Sequence, residues 1–136
     1  MVFFDTNVLV YIHDQRYAYK REVARRLYAS HLYTGSIALS TQVLQELFVT
    51  ITKKTQIPDR EARALVADLT GLNVVSLNSA HIMSAIDLHS RHQLSFWDSL
   101  IIIAAKSAGA RVLFSEDLGH GNTYEGVRIE NPFVTQ

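Results

Sequence analysis

The chain has 136 residues, 48% of them hydrophobic, which suits one domain with a buried core and excludes a disordered tail or a solvated linker. Thirteen Lys plus Arg balance thirteen Asp plus Glu, which argues against a general nucleic-acid coat protein but leaves room for one local, metal-assisted phosphate site. Cysteine is absent, so disulfide scaffolds, thiolate metal sites and cysteine nucleophiles are excluded, and no apolar run approaches the ~20 residues of a membrane span.

The first residues, Met1 to Asp5, carry no basic side chain and reach a carboxylate at once, unlike a signal peptide, so a soluble, cytoplasmic protein is expected. Val2-Phe3-Phe4 reads as a short buried strand of the parallel-sheet kind. Val8 to Ile12 is too continuous to assign by period and is read as a short helix. Residues 17 to 32 predict an amphipathic helix with Val23, Ala24, Leu27 and Tyr28 inward. Ser36 to Leu39 is a second strand. Ser40 or Thr41 caps the helix that follows, whose apolar side carries Val43, Leu44, Leu47, Phe48 and Ile51. Pro58 opens a further helix, ended near Gly71. Val74 to Leu77 is a third strand, Ser79 to Arg91 a helix, and Ser95 to Gly109 another. Arg111 to Ser115 is a fourth strand, followed by a Gly-rich loop, and Val127 to Ile129 is a short last one. Strands separated by helices predict right-handed βαβ units. The expected fold is α/β, one domain over residues 1–136, with a mostly parallel central sheet of about four to five strands flanked by helices.

Ligands of open α/β sheets sit beyond the carboxyl ends of the strands. Four acids fall at that rim. Asp5 ends the first strand, Glu46 lies in the helix after the second, Asp98 in the first turn of the Ser95 helix, and Asp117 just past the fourth strand. Asp14, Asp59, Glu61, Asp68 and Glu125 are read as outward helix or loop residues. Four ionised carboxylates in one pocket repel one another unless a cation is present, and a hard divalent ion, Mg²⁺ or Mn²⁺, suits all-oxygen ligation. Such an ion activates water and shields a phosphodiester, so metal-dependent phosphodiester hydrolysis is the leading chemistry. Each acid also has a plainer reading: Asp98 as a capping-box partner of Ser95, Glu46 as a solvated helix residue, Asp5 and Asp117 as Asx-turn caps. The joint placement favours a site. Two other functions remain open at this point, a phospho-accepting or phosphatase-type domain and a non-catalytic binding module. The first needs a Lys at a strand end, whereas Lys53, Lys54 and Lys106 fall within or at the ends of helices.

Asp5-Thr6-Asn7-Val8-Leu9, Gln45-Glu46-Leu47, Phe96-Trp97-Asp98-Ser99-Leu100-Ile101 and Ser115-Glu116-Asp117-Leu118-Gly119-His120-Gly121 together resemble the four blocks of PIN-domain ribonucleases, in that family's order and spacing. Glu125 to Phe133 resembles the tail of the VapC toxins within it. The resemblance implies an endoribonuclease that uses Mg²⁺ or Mn²⁺ and is held in check by a VapB-type antitoxin. It makes Asp5, Glu46, Asp98 and Asp117 the catalytic, metal-binding set, with Thr6, Asn7 and Ser115 supporting them by hydrogen bonds. It further implies water attack on RNA phosphorus, leaving 5′-phosphate and 3′-hydroxyl ends, and a homodimer.

His120, beside these acids, is a candidate phosphate contact, against the plainer reading of a solvated loop histidine. Residues 1–68 carry nine Lys or Arg against seven acids, and residues 69–136 four against six. Arg16, Lys20, Arg21, Arg25 and Arg26 are the densest group. An ordinary charged helix face is the plain reading. The sharper one is an RNA-steering rim, with Arg21 and Arg25 as candidate substrate contacts. Tyr11, Tyr17, Tyr19 and Tyr28 nearby are read as core, as a stacking surface for bases, or as the seat of an antitoxin helix.

Overall fold

A computed structural model of the chain describes residues 1–134, so the last two positions of the expected 1–136 domain lie outside the described residues. Strand and helix alternate as the pattern predicts. The elements are β1 (Val2–Phe4), α1 (Thr6–Tyr11), α2 (Ala18–Tyr33), β2 (Ile37–Ser40), α3 (Thr41–Lys54), α4 (Asp59–Leu69), β3 (Asn73–Val75), α5 (Ser79–Arg91), α6 (Phe96–Ser107), β4 (Val112–Phe114), β5 (Thr123–Tyr124) and β6 (Val127–Glu130). Polar residues set several starts. Ser40 accepts from the Val43 N–H at the head of α3, Ser95 from the Asp98 N–H at the head of α6, and Asn78 forms a capping box with His81 on α5.

The sheet order is β3-β2-β1-β4-β6-β5. β1 lies at its centre, parallel to β2 on one side and to β4 on the other. Every residue of β2 is buried, as expected of a strand covered on both faces. The core gathers Phe3, Phe4, Leu39, Leu113 and Ile129 from the strands with Leu47, Ile51, Leu88, Ile101 and Ile102 from the helices. The run Leu100–Ala105 of α6 is buried all round, packed against α5 and the sheet. A helix without a polar face belongs inside.

The sheet has one strand more than the pattern showed. Thr123–Tyr124, in the stretch read as a Gly-rich loop, is β5 and pairs antiparallel with β6. Two residues are too few to display a period. The hairpin depends instead on Glu125 (φ 53) and Gly126 (φ 80), both in the left-handed region that a two-residue primed turn requires. A second difference concerns Asp14, which is buried rather than outward, because Arg16 folds back onto it.

The chain winds outward from β1 to β2 and β3, then crosses back to place β4 on the other side of β1. The order therefore reverses between β1 and β4, and a crevice opens beyond their carboxyl ends.

Candidate active site

Asp5 follows β1 directly. Its backbone N–H donates to the Phe114 carbonyl at the end of β4 (2.9 Å), which pins it at the switch point of the sheet. Extended there, it is also the N-cap of α1. Oδ1 accepts from the Thr6 N–H (2.7 Å) and Oδ2 from the Ser115 hydroxyl (2.8 Å). The cap and the site are thus one residue.

Thr6 and Asn7, on the first turn of α1, reach in two directions. The Thr6 hydroxyl donates to Glu46 Oε1 (2.8 Å), which brings α3 against α1. The Asn7 amide donates to Asp117 Oδ2 (3.0 Å) and accepts from the Glu116 N–H (3.3 Å), fixing the loop after β4. Ser115 joins both halves, because the hydroxyl that donates to Asp5 also accepts from the Asp117 N–H (3.2 Å). Thr6, Asn7 and Ser115 thus each hydrogen-bond at least one of the four acids.

Asp98 enters from α6. Its N–H is capped by Ser95, but its carboxylate has no hydrogen-bond donor among the described residues. Glu46 and Asp98 both raise the cost of charge on Asp5, which places the three acids within electrostatic reach. Burial is the larger cause. Only 8% exposed, Asp5 is pushed up to about 6 even though its hydrogen bonds to Ser115 and Thr6 favour the anion.

All four acids line one cleft of about 620 Å³. No three His, Asp or Glu side chains among the described residues close into a ready metal cage. The donor set is nevertheless all oxygen and includes Asp5, whose charge is disfavoured chiefly by burial and further by Glu46 and Asp98. Such a set fits a hard divalent cation, which Asp5, Glu46, Asp98 and Asp117 would hold.

The structure adds residues that the pattern did not reveal. Glu116 also lines the cleft, yet its carboxylate is taken by Lys20 of α2 and by the Tyr11 hydroxyl (2.8 Å). Gln42 bridges Glu46 Oε2 (3.4 Å) and the Trp97 carbonyl (3.2 Å), linking the two helices that carry Glu46 and Asp98. Trp97 stands at the cleft, 63% exposed. Glu116 and Trp97 had a visible signal, since each is the immediate neighbour of a site acid; Gln42 had none. Of the candidate substrate contacts, His120 uses Nδ1 to accept from the Asn131 N–H (3.0 Å) and does not line the cleft. Arg21 and Arg25 do not line it either. Arg25 lies in an adjoining hollow, its Nε donating to the Ile12 carbonyl.

Comparison with known proteins bears on this arrangement. No curated protein matches the chain by sequence. Solved structures share its fold at low identity. VapC20 of Mycobacterium tuberculosis, described as a sarcin-ricin-loop-cleaving toxin, is 20% identical over 86% of this chain and 90% of its own, with a TM-score of 0.68. A toxin–antitoxin complex from Klebsiella pneumoniae is 18% identical over 98% of each chain, with a TM-score of 0.70. DNA-bound VapBC from Salmonella typhimurium is 20% identical over 96% of this chain and 97% of its own, with a TM-score of 0.68. The PIN domain family profile matches residues 2–125, a span that holds β1, the switch point and all four acids, and so the chain belongs to the PIN-domain family.

Proposed function

We propose that the chain is a divalent-metal-dependent endoribonuclease, the toxin of a VapBC-type pair neutralised by a VapB-type antitoxin. The observation that carries this reading is the convergence of Asp5, Glu46, Asp98 and Asp117 on one cleft at the switch point of a PIN-family sheet. The neighbours add support: one is described as a sarcin-ricin-loop-cleaving toxin, another as a toxin–antitoxin complex and a third as DNA-bound VapBC. The same resemblance extends the reading to a homodimer working in the cytoplasm. Among the described residues no helix is long and apolar enough to cross a membrane.

Mg²⁺ or Mn²⁺ would be held by Asp5, Glu46, Asp98 and Asp117, and when bound supplies charge neutralisation at the phosphodiester and a more acidic water. The chain's own side chains supply position. Ser115 and the Thr6 N–H hold the Asp5 carboxylate, the Thr6 hydroxyl holds Glu46, and Asn7 aims Asp117. Asp98, with no protein donor on its carboxylate among the described residues, keeps both oxygens for a ligand. A phospho-accepting function is not favoured. Its nucleophile would be Asp5, whose two carboxylate oxygens are already engaged by the Thr6 N–H and the Ser115 hydroxyl.

The test is RNA cleavage that EDTA abolishes and Mg²⁺ or Mn²⁺ restores. Asp5→Asn and Asp98→Asn should each lower the rate by ~100-fold or more while leaving the thermal transition in place or raised. Undiminished cleavage by both variants would sink the assignment.

A further inference from the structure

We propose that Arg16, oriented by the buried Asp14 and accompanied by Lys54, forms a phosphate subsite that holds an RNA phosphate flanking the one that is cut. This rests on the ribonuclease reading and goes beyond it by naming residues outside the acidic set.

Asp14 follows α1 and is only 3% exposed. Its Oδ1 accepts from the Arg16 N–H (3.1 Å) and Nε (3.0 Å), and Oδ2 from Nη2 (2.9 Å). The guanidinium is therefore gripped along one edge by a paired, planar contact, which removes most of its rotational freedom. Its other edge has no protein acceptor among the described residues, and the side chain is 57% exposed. The ring of Tyr17 lies 5.5 Å from the guanidinium carbon, giving it a second wall. Burying a carboxylate against an arginine contributes little to stability compared with an apolar pair, so an orienting role explains the arrangement better than a stabilising one.

Lys54, the last residue of α3, makes no salt bridge of its own among the described residues and is close enough to Asp14 to help hold its carboxyl below the usual range. Asp14, Arg16 and Lys54 together carry one net positive charge. They line the acidic cleft, and they also line a second hollow of about 660 Å³ in which His13 and Arg25 sit. They thus stand where the two spaces join. A strand with one phosphate at the acids must lay its neighbouring phosphates along the cleft, and this junction offers a fixed two-pronged donor beside an ammonium with no salt bridge among the described residues. Phosphate oxygens match the open guanidinium edge in spacing and charge. An acidic peptide tail would offer similar oxygens, and the experiment separates the two.

The test is cleavage of a short single-stranded RNA by the wild-type chain and by Arg16→Lys and Lys54→Ala. Arg63→Ala, on an exposed position of α4, serves as charge control. Each assay is repeated with a neutral methylphosphonate replacing, in turn, each phosphate next to the scissile one. Arg16→Lys keeps the charge and avoids stranding Asp14, and the methylphosphonate series needs no variant at all. Arg16→Lys and Lys54→Ala should each raise KM by about tenfold at low salt with kcat changed by less than about twofold. One neutral linkage should raise the wild-type KM similarly, and Arg16→Lys should add nothing further at that linkage. Arg63→Ala should behave as wild type. Equal KM for every chain, or additive effects at every linkage, overturns the subsite while leaving the nuclease reading intact. Weakened binding of an acidic peptide with an unmoved KM for RNA overturns it in favour of a protein partner. Absence of metal-dependent cleavage by the wild-type chain overturns the nuclease reading and the subsite with it.

Discussion

Asp5 shows how a residue with two duties is strained by them. As the cap of α1 it must sit where β1 ends, and that place is buried beside two other acids. Two hydrogen bonds favour its charge, but burial outweighs them and its carboxyl is pushed up to about 6 from 3.8. The folded state then binds a proton more tightly than the unfolded chain does. The penalty of a buried anion is therefore full above pH 6 and fades as pH falls through 6 towards 3.8. Removing the charge should help the fold most at high pH. In EDTA, Asp5→Asn should melt above wild type at pH 8, by a margin on the order of 3 kcal/mol at most, and the margin should shrink at pH 5. A difference independent of pH would mean that Asp5 is not strained. Gln42 carries a smaller tension. Its Nε2 ties Glu46 to the Trp97 carbonyl, while Oε1 is buried without a partner among the described residues, which costs about 1–3 kcal/mol.

At the scale of elements, α1 organises the site although it has only six residues. Its first turn ties β1 to α3 through Thr6 and Glu46, and to the loop after β4 through Asn7 and Asp117. Lys20 of α2 clamps the same loop through Glu116, with its ammonium 4.9 Å from the centre of the Tyr11 ring. The hairpin at the sheet edge is built differently, on positive φ at both turn residues, with Glu125 also paired to Arg91. Gly126 holds φ +80, with open space where a Cβ would stand, so Gly126→Ala is penalised by strain and not by collision. It should destabilise the fold by about 1 kcal/mol, read as a lower urea midpoint with unchanged kcat. Gly71, whose φ is ordinary and whose nearest would-be contact is the Asp68 carbonyl at 3.6 Å, should tolerate alanine without that loss. Equal effects at the two positions would refute the turn argument.

Over the whole molecule, a net charge of zero conceals a division. Asp5, Glu46, Asp98 and Asp117 make no salt bridge among the described residues, whereas the other two acids of the cleft, Asp14 and Glu116, are paired with Arg16 and Lys20. An ion bound at the proposed site would couple to folding, because only the folded chain brings the four acids together. Mg²⁺ or Mn²⁺ should therefore stabilise the wild-type chain by about 2–3 kcal/mol at a concentration a hundred times the dissociation constant, seen as a raised thermal midpoint. Asp98→Asn should lose most of that rise, as followed by calorimetry at fixed pH. An equal rise in both would indicate ion binding elsewhere on the surface.

Much of this protein is written locally in its sequence. Buried strands appear as apolar runs, helix starts as Ser40 and Ser95, and the interior helix as the unbroken Leu100–Ala105. The four acids were legible because strand ends in an α/β sheet share one rim, so their places in the order of elements implied a common place in space. What needed the tertiary structure depends on partners far apart in the chain. β5 exists because Glu125 and Gly126 turn it onto β6, and two residues carry no period of their own. Thr6 meets Glu46 forty positions away, and Asn7 meets Asp117 across 110. Asp14 looked like a solvated acid until the turn after α1 folded Arg16 back over it. Local backbone preference and hydrophobic pattern are properties of neighbouring residues and can be read along the chain. Desolvation, hydrogen-bond partners and the meeting of charges are properties of the packed molecule, and only its packing decides them.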